Sequence, residues 1–329
     1  WGKMSVWERK DILQHVYELF LTKKEALAQS ISAEMGMPIL QARDEVEYGY
    51  MYFAGYLQMC EDALKPQITK ETQSELHTVF YEAKWVVAAI APWNYPFSMC
   101  IWTSIQALLA WNTVIFKTSK EVILTGKLIA DIFSESQLPQ GVFQEIYGSG
   151  ELGDALLEQE IDMVTFTGST EVGRHIYTKA AQKLIPCVME LGGSAPGIVC
   201  EDADIDKVLE TMYFLRYSNA GQMCDGLKRL IVHESRYQEL TQKLSNVLLS
   251  KKIGDASDDT THIGPLVSQH QKKAFLEQYE DALEKWASIL AEYTVPAGID
   301  GSYVPAVLLG NISKDMKVWK EEVFGPLLP

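Results

Sequence analysis

Apolar residues recur along most of the chain with the spacing of helices or of short buried strands. A helical pattern runs over residues 6–35 and ends at Gly36 and Pro38, and a second helical pattern covers residues 39–64. Residues 66–83 contain threonines and alternate polar with apolar side chains, which predicts an exposed β-hairpin.

From residue 85 onward, short apolar runs alternate with helical patterns. The predicted strands cover residues 85–91, 113–116, 142–147, 163–166 and 186–190. The helices predicted between them cover residues 98–110, 121–133, 152–159 and 172–184. Such an alternation is typical of a parallel sheet with helices packed on its faces. A second block, after about residue 193, has predicted strands at 195–199 and 229–233 and predicted helices at 205–217 and 237–249. The chain is therefore predicted to be α/β, with two domains that divide near residue 192.

Charge and apolar content narrow the classes of function. The 329 residues carry 29 basic and 44 acidic side chains, a net charge of −15. This field repels nucleic acid and anionic membrane surfaces, so neither is an expected partner, and a small anion needs a local pocket of donors. The longest apolar run, residues 85–93, is far below the roughly 18 residues of a membrane span.

The cysteines and histidines point to reduced thiols and away from a metal site. The five cysteines are odd in number and form no C-x-x-C motif, which favours free thiols and a cytoplasmic location. The six histidines lack the spacing of metal ligands, so no metal is expected.

Two glycine-containing turns are candidates for phosphate binding. Residues 148–153 match G-x-G-x-x-G after a predicted strand, which is either a dinucleotide site or a turn that needs glycine for its shape. Residues 166–173 also join a strand to a helix and offer Gly, Ser and Thr donors. The alternative for this second turn is a plain helix N-cap by Ser169 or Thr170.

Cys224 and Glu190 are the candidate nucleophile and general base. Cys224 follows Gly221 and Gln222 in what reads as an accessible loop, but Asp225 beside it opposes thiolate formation. Glu190 ends a predicted strand, where partial burial would raise its pKa towards a useful value for a base. The alternatives are an inert cysteine and a surface carboxylate.

Six segments in this order resemble the aldehyde dehydrogenase superfamily, and together they cover essentially the whole chain. The segments are 91–96 (APWNYP), 117–120 (KTSK), 166–173 (FTGSTEVG), 189–193 (MELGG), 219–224 (NAGQMC) and 321–326 (EEVFGP). The resemblance implies the aldehyde dehydrogenase fold, with a Rossmann-like cofactor domain on a parallel sheet and a second α/β catalytic domain.

The resemblance also implies residue roles. Cys224 is the expected nucleophile, Asn94 the expected oxyanion donor and Glu190 the expected base that activates water. The residues expected to bind the cofactor, NAD or NADP, are Pro92, Trp93, Lys117, Ser119, Lys120, Gly168, Ser169, Leu191, Glu322 and Phe324. Residues 148–153 then return to a structural role. Lys120 stands where many NAD-using members have Glu, which weakly favours NADP because Lys can pair with a 2′-phosphate.

Four residues are expected to line the substrate tunnel: Tyr95, Met99, Trp102 and Asp225. Asp225 argues against an aldehyde with an anionic tail, whereas the overall likeness to semialdehyde dehydrogenases favours one, and the sequence does not decide between them. A CoA-acylating enzyme and a non-catalytic scaffold are the alternative functions. Retention of Glu190 argues against the first, and retention of all three catalytic residues argues against the second.

The resemblance assigns the domains. Residues 1–65 and 84–192 are expected to form the dinucleotide-binding domain, residues 66–83 an oligomerisation hairpin, and residues 193–329 an incomplete catalytic domain. The chain begins at Trp1 without Met and stops at Pro329, so it is expected to be a fragment of a longer polypeptide. That polypeptide is expected to form a homodimer or homotetramer. The isolated chain is expected to expose apolar surface and to show weak or no activity.

Overall fold

The computed structural model describes residues 1–329 as two compact units. Unit 1 comprises Trp1–Ser30 and Arg43–Leu191, and unit 2 comprises Ile31–Ala42 and Gly192–Pro329. The division after Leu191 lies one residue from the boundary expected from the sequence.

Residues 31–42, which the sequence assigned to the first domain, belong to unit 2. The N–H of Ile39 donates to the carbonyl of Ala256 at 2.8 Å, and the hydroxyl of Ser32 donates to the same carbonyl at 3.3 Å. Gly36, with φ +77°, packs its backbone closely against Pro265. These contacts join residues far apart in sequence, and no local pattern in the chain reveals them.

Three helices open the chain: α1 (Val6–Thr22), α2 (Lys24–Met35) and α3 (Ile39–Leu64). The single helix predicted over residues 6–35 is wrong, because the chain breaks at Lys23, whose N–H turns back to the carbonyl of Phe20. Apolar spacing continues across this break without Gly or Pro, which is why the pattern did not reveal it. The helix predicted over residues 39–64 is confirmed.

The predicted hairpin is present in unit 1. Strands β1 (Gln67–Glu71) and β2 (Leu76–Val79) pair antiparallel, with a register shift between Ile68 and Lys70. Nearly all of their side chains are exposed, Ile68 and Leu76 included.

A five-stranded parallel sheet forms the centre of unit 1, as predicted. Its strands are β3 (Val86–Ile90), β4 (Thr113–Lys117), β5 (Phe143–Ile146), β6 (Met163–Thr167) and β7 (Cys187–Glu190). They lie in the order β5-β4-β3-β6-β7. Along the chain, β4 and then β5 are added on one side of β3, and the chain then crosses to β6 on the other side of β3. The strand order therefore reverses between β3 and β6, where open α/β sheets bind ligands beyond the carboxyl ends of the strands.

Helices connect these strands. They are α4 (Pro96–Cys100), α5 (Gln106–Leu109), α6 (Ile123–Glu135), α7 (Gly150–Leu157) and α8 (Thr170–Gln182), with a π-helical turn at Ile101–Ile105 between α4 and α5. β3 is buried along nearly its whole length, which explains its continuous apolar sequence.

Unit 2 begins as predicted, with β8 (Pro196–Val199) parallel to β9 (Arg229–Val232). The helices of this part are α9 (Ile205–Tyr217) and α10 (Glu234–Leu249). The remaining elements were not predicted, and they are α11 (Gln269–Glu284), β10 (Ser288–Tyr293), β11 (Ala306–Gly310), α12 (Lys317–Lys320) and β12 (Leu327–Leu328). β10, β11 and β12 form one sheet. Its core includes the fully buried Tyr217, Val307 and Leu327. No helix of the structure combines the length and the apolar character that crossing a membrane requires.

Candidate active site

In unit 1, the candidate residues follow the carboxyl ends of four neighbouring strands. Asn94 follows β3, Lys117 ends β4, Gly168 follows β6 and Glu190 ends β7. Neighbouring parallel strands end at the same edge, so these residues share one edge of the sheet. The N–H of Gly168 donates to the carbonyl of Glu190 at 3.0 Å, which fixes two of these strand ends together.

Asn94 is buried and lies just before α4. Pro96 begins that helix, and its fixed φ suits the first helical position. The N–H of Ser98, in the first turn, donates to Oε1 of Glu45 on α3 at 2.8 Å. Burial raises the pKa of Glu45 to about 7, against opposing hydrogen bonds from Ser98 and Phe97.

One turn after Glu45, Gly49 allows α3 and α4 to approach closely. A Cβ built at Gly49 would lie 2.6 Å from Cε1 of Phe97. The ring of Phe97 also packs against Phe20 and Tyr50, at centroid distances of 5.1 and 5.3 Å. α3 therefore fixes the start of the helix that follows Asn94.

Of the residues expected in the substrate tunnel, Trp102 lines a cavity of about 660 Å³ in unit 1. Its ring packs edge-on against Tyr52, at a centroid distance of 4.9 Å. Met99 is only 2% exposed and Tyr95 is half-buried, and neither lines this cavity. In unit 2, Asp225 is exposed.

Lys117 is buried at the end of β4. Its ammonium donates to the carbonyl of Gly148 at 3.0 Å and to that of Thr118 at 3.3 Å, and burial lowers its pKa. A Cβ built at Gly153 would stand 3.7 Å from Cδ and Cε of Lys117. The G-x-G-x-x-G segment therefore packs around the lysine and supplies one of its acceptors.

The two residues after Thr118 differ in exposure. The hydroxyl of Ser119 accepts from the N–H of Glu121 at 3.3 Å. Lys120 keeps 66% of its side chain exposed, and its ammonium lies 3.7 Å from Oε1 of Glu121. An exposed pair of this kind contributes at most about 1 kcal/mol, so Lys120 is free to reorient towards a ligand.

Ser169 acts as the N-cap of α8, since its hydroxyl accepts from the N–H of Val172 at 3.3 Å. The cap suggested by the sequence is therefore present. It leaves other N–H groups at the start of the helix available, and these favour an anion. At the neighbouring strand end Leu191 packs closely against Gly173.

Glu190 is exposed, so the partial burial expected from the sequence is wrong. β7 is an edge strand, and the side chain of Glu190 emerges where the strand ends.

The candidate nucleophile in unit 2 follows a left-handed turn. Asn219, Ala220 and Gly221 all have positive φ, of 50°, 50° and 74°. Consecutive residues in this region store strain unless their surroundings hold them. Gln222 is fully buried, its amide donates to the carbonyl of Asn219 at 3.0 Å, and its Oε1 accepts from the N–H of Val267, also at 3.0 Å.

Cys224 is half-buried. Burial raises the pKa of its thiol, and the charge of Asp225 raises it further. Backbone N–H groups at Asp225 and Cys224 and the charge of Lys228 act in the opposite direction. The structure therefore contains both the opposing acid that the sequence identified and a cation that it did not.

The other loop of interest in unit 2 carries Glu322 and Phe324. Glu322 lies over Gly192, where an added Cβ would stand 3.0 Å from the carboxyl carbon. Arg216, fully buried, donates to the carbonyl of Val323 at 3.1 Å and also to that of Gly325. Burial lowers the pKa of Arg216 to about 10.

Lys228, 2% exposed, lies against the same loop. Its ammonium is 3.2 Å from Oε1 of Glu322 and 4.9 Å from the ring centroid of Phe324. Sequence reasoning missed both Arg216 and Lys228. The available signal was basic residues within two largely apolar stretches that flank Cys224, namely Arg216 in 213–217 and Lys228 with Arg229 in 226–232.

The donors within each unit fit parts of a dinucleotide. In unit 1, the edge where the strand order reverses carries positive charge from Lys117 and Lys120 and N–H donors from the start of α8. Phosphates and ribose hydroxyls require such groups. In unit 2, Glu322 offers a carboxylate acceptor held over a bare glycine backbone, with an aromatic ring two residues on. These local donors offset a chain charge of −15.

A family profile decides the relationship, since the profile of the Aldehyde dehydrogenase family matches residues 1–329. The chain belongs to the aldehyde dehydrogenase family. It is 34% identical over 334 residues to aminoaldehyde dehydrogenase 1, peroxisomal, of Pisum sativum, a match that covers 100% of this chain and 66% of the relative. It is 31% identical over 331 residues to mitochondrial succinate-semialdehyde dehydrogenase of Oryza sativa, covering 100% and 63%.

Solved structures of the family show the same fold. An Escherichia coli structure described as an NADP dependent enzyme superposes with a TM-score of 0.95 at 30% identity, covering 100% of this chain and 69% of that one. The aldehyde dehydrogenase fold expected from the sequence is thus confirmed. This chain spans about two thirds of the length of these relatives.

Proposed function

We propose that the protein oxidises an aldehyde to the carboxylic acid with NAD or NADP as the hydride acceptor, and that Cys224 is its nucleophile. Family membership over the whole chain is one support. The observation that carries the proposal is the half-buried thiol after three residues of positive φ, because such strain is typical of functional turns.

In the first step, the thiolate of Cys224 attacks the carbonyl carbon of the aldehyde. A C–S bond forms and the carbonyl π electrons move to oxygen, which gives a thiohemiacetal oxyanion. We assign the amide of Asn94 and the N–H of Cys224 as the donors to this oxyanion. Loss of one such donor typically costs ~10²–10³ in rate.

A bound nicotinamide supplies the acceptor for the hydride that leaves this carbon. The product on Cys224 is a thioester. We assign Glu190 to take a proton from the water that attacks the thioester, which releases the carboxylic acid and restores the thiolate. Its exposed position at the end of β7 gives water access to the carboxylate.

The adenosine and phosphate groups of the cofactor are assigned to one set of residues: Pro92, Trp93, Lys117, Ser119, Lys120, Gly168, Ser169 and Leu191. Glu322 and Phe324 are assigned to the nicotinamide ribose and ring. The exposed ammonium of Lys120 supports use of NADP at least as well as NAD, since it can pair with a 2′-phosphate.

The substrate is proposed to be an aldehyde with a polar tail. The relatives described above are named for aminoaldehyde and for succinate semialdehyde. Exposed Asp225 beside Cys224 favours a cationic over an anionic tail through its charge. Tyr95, Met99 and Trp102 are assigned to the wall of the substrate tunnel.

The assembly and the compartment are also proposals. The exposed apolar side chains of the hairpin, such as Ile68 and Leu76, support its assignment to subunit contacts in a homodimer or homotetramer. A cytoplasmic location is proposed from the free thiols expected in the sequence. Light scattering and cell fractionation test the two.

The test is a spectrophotometric screen of NAD(P)H production by the full-length protein, across aminoaldehydes, semialdehydes and simple aliphatic aldehydes, with each cofactor. We expect turnover that Cys224→Ala abolishes, whereas Cys200→Ala, at an exposed cysteine, leaves it unchanged. Turnover that survives Cys224→Ala contradicts the assignment. Appearance of acyl-CoA when CoA is added indicates the acylating alternative, and absence of turnover with every aldehyde favours a scaffold.

A further inference from the structure

Lys228 is a buried cation with several partners on two different loops. Its ammonium donates to the carbonyl of Met223, the residue immediately before Cys224. It also lies 3.4 Å from the carbonyl oxygen of Val323 and 3.2 Å from Oε1 of Glu322. Each partner is a carbonyl or carboxylate oxygen, the kind of group that an ammonium binds best.

A second set of contacts makes the position of this ammonium specific. It lies 4.9 Å from the ring centroid of Phe324, within the range of a cation–π interaction. Glu322 also lies close to the backbone of Gly192, where an added Cβ would collide with the carboxylate. Lys228 therefore contacts each of the three consecutive residues from Glu322 to Phe324.

Burial of this lysine is costly, which indicates that its contacts are specific. Desolvation lowers its pKa to about 8, and Arg216 adds to that effect, while Glu322 and Cys224 oppose it. An isolated buried ammonium is unfavourable unless it is paired and hydrogen-bonded. A methionine of similar length would fill the same space without that cost, so packing alone does not explain a lysine here.

We propose that Lys228 is a positioning residue that joins the loop of the nucleophile to the loop of Glu322 and Phe324, and that its charge favours the Cys224 thiolate. The inference rests on the proposed function for the roles of Cys224, Glu322 and Phe324. Lys228 places a positive charge beside the loop of the nucleophile, since its ammonium donates to the carbonyl of Met223, and this charge opposes the effect of Asp225 on the thiol.

The proposal predicts two separate effects of Lys228→Met. Glu322 loses its cationic partner, so the dissociation constant for NAD(P)H, followed by fluorescence titration, rises about tenfold. The thiolate loses a favourable charge, so the pKa of the thiol rises and alkylation of Cys224 by iodoacetamide at pH 7 slows about tenfold. The charged groups that act on the thiol are Asp225 and Lys228, and Arg216 and Glu322 act in turn on Lys228.

Neither measurement depends on turnover. Alkylation is followed by mass spectrometry of peptides, and the exposed Cys200 in the same molecule serves as the internal standard. If the proposed function is wrong but Lys228 acts as stated, the alkylation of Cys224 still slows, even when no aldehyde is oxidised. If only the inference is wrong, turnover stands and both readouts match wild type.

Lys251→Met is the matched control. Lys251 also lies in unit 2, pairs with Glu210 at 3.1 Å and lies 4.6 Å from the ring centroid of Tyr213. The variant therefore loses the same kinds of carboxylate and cation–π contact, but with other residues of unit 2. We expect wild-type cofactor affinity and alkylation for this control.

A double-mutant cycle separates positioning from stability. Lys228→Met and Glu322→Gln should be non-additive in cofactor affinity, because the second change removes the carboxylate that Lys228 holds. Lys228→Gln keeps a hydrogen-bond donor without the charge and should recover part of the cofactor affinity but not the alkylation rate. Additive cofactor effects, together with unchanged alkylation in a Lys228→Met protein that has folded, would overturn the proposal.

Discussion

In the turn before Cys224, Gly221 is the residue whose lack of a side chain matters most. Its φ of +74° is unfavourable for alanine by about 1–2 kcal/mol. A Cβ there would also lie 2.6 Å from the carbonyl carbon of Gly325 and 3.0 Å from the carbonyl oxygen of Arg216. Both neighbours are backbone atoms, and forcing them apart costs about 1–3 kcal/mol.

Gly221→Ala should therefore lower the free energy of unfolding by about 2–5 kcal/mol, a large fraction of the ~5–15 kcal/mol typical of a native protein. The matched control is Gly298→Ala, also in unit 2. Gly298 has a similar φ of +85° but no atom within 4 Å of an added Cβ. It should lose only the backbone contribution of about 1–2 kcal/mol.

The assay is urea unfolding of both variants and wild type, followed by fluorescence and circular dichroism. With a slope of about 2–3 kcal/mol per molar urea, the midpoint of Gly221→Ala should fall by about 1–2 M, and that of Gly298→Ala by less than half as much. Alkylation of Cys224 should change only in Gly221→Ala. Equal midpoints for the two variants would refute the close approach of Gly221 to the loop that contains Gly325.

The remaining predictions concern three charged residues of unit 1. Burial raises the pKa of Glu45 from 4.5 to about 7, so the folded state holds its proton to a higher pH than the unfolded state does. The contribution of Glu45 to the free energy of unfolding is therefore greatest below pH 4.5 and falls by about 3 kcal/mol as the pH rises to 7. The difference in urea midpoint between wild type and Glu45→Gln, followed across that pH range, measures this fall. Lys117→Met should raise the dissociation constant for NAD(P)H at least tenfold, because a charge-assisted donor is lost, and unchanged binding would exclude Lys117 from the cofactor site. Lys120→Glu should lower the ratio of kcat/KM with NADP to that with NAD at least tenfold through repulsion of the 2′-phosphate. If wild type prefers NAD more than tenfold, the role given to Lys120 is wrong.

The sequence predicts most of unit 1 because local patterns determine it. Short apolar runs such as β3 alternate with helical patterns, whereas the order of the strands, with its reversal between β3 and β6, was not predicted. The break at Lys23 and the placement of residues 31–42 in unit 2 depend on contacts between distant residues, so the pattern did not predict them.

The candidate site likewise combines residues that local motifs predict with residues that only contacts between distant segments bring together. The motifs around Cys224 and Glu190 are continuous in sequence and could be recognised there. The contribution of Lys228 depends on a loop about a hundred residues away, and Glu45 acts on Ser98 from another helix. Charged side chains in apolar surroundings are the sequence signal for such contacts, but the signal does not say which partner each one meets.

The most direct test of the account is the mass of the covalent intermediate. Glu190→Gln should slow thioester hydrolysis by about 10²–10⁴ without preventing its formation. Mixed with an aldehyde and NAD(P), this variant should release one equivalent of NAD(P)H and gain the mass of the aldehyde less one hydride and one proton, on the peptide that contains Cys224. NAD(P)H formation without this adduct, or an adduct that persists in Cys224→Ala, would contradict the account.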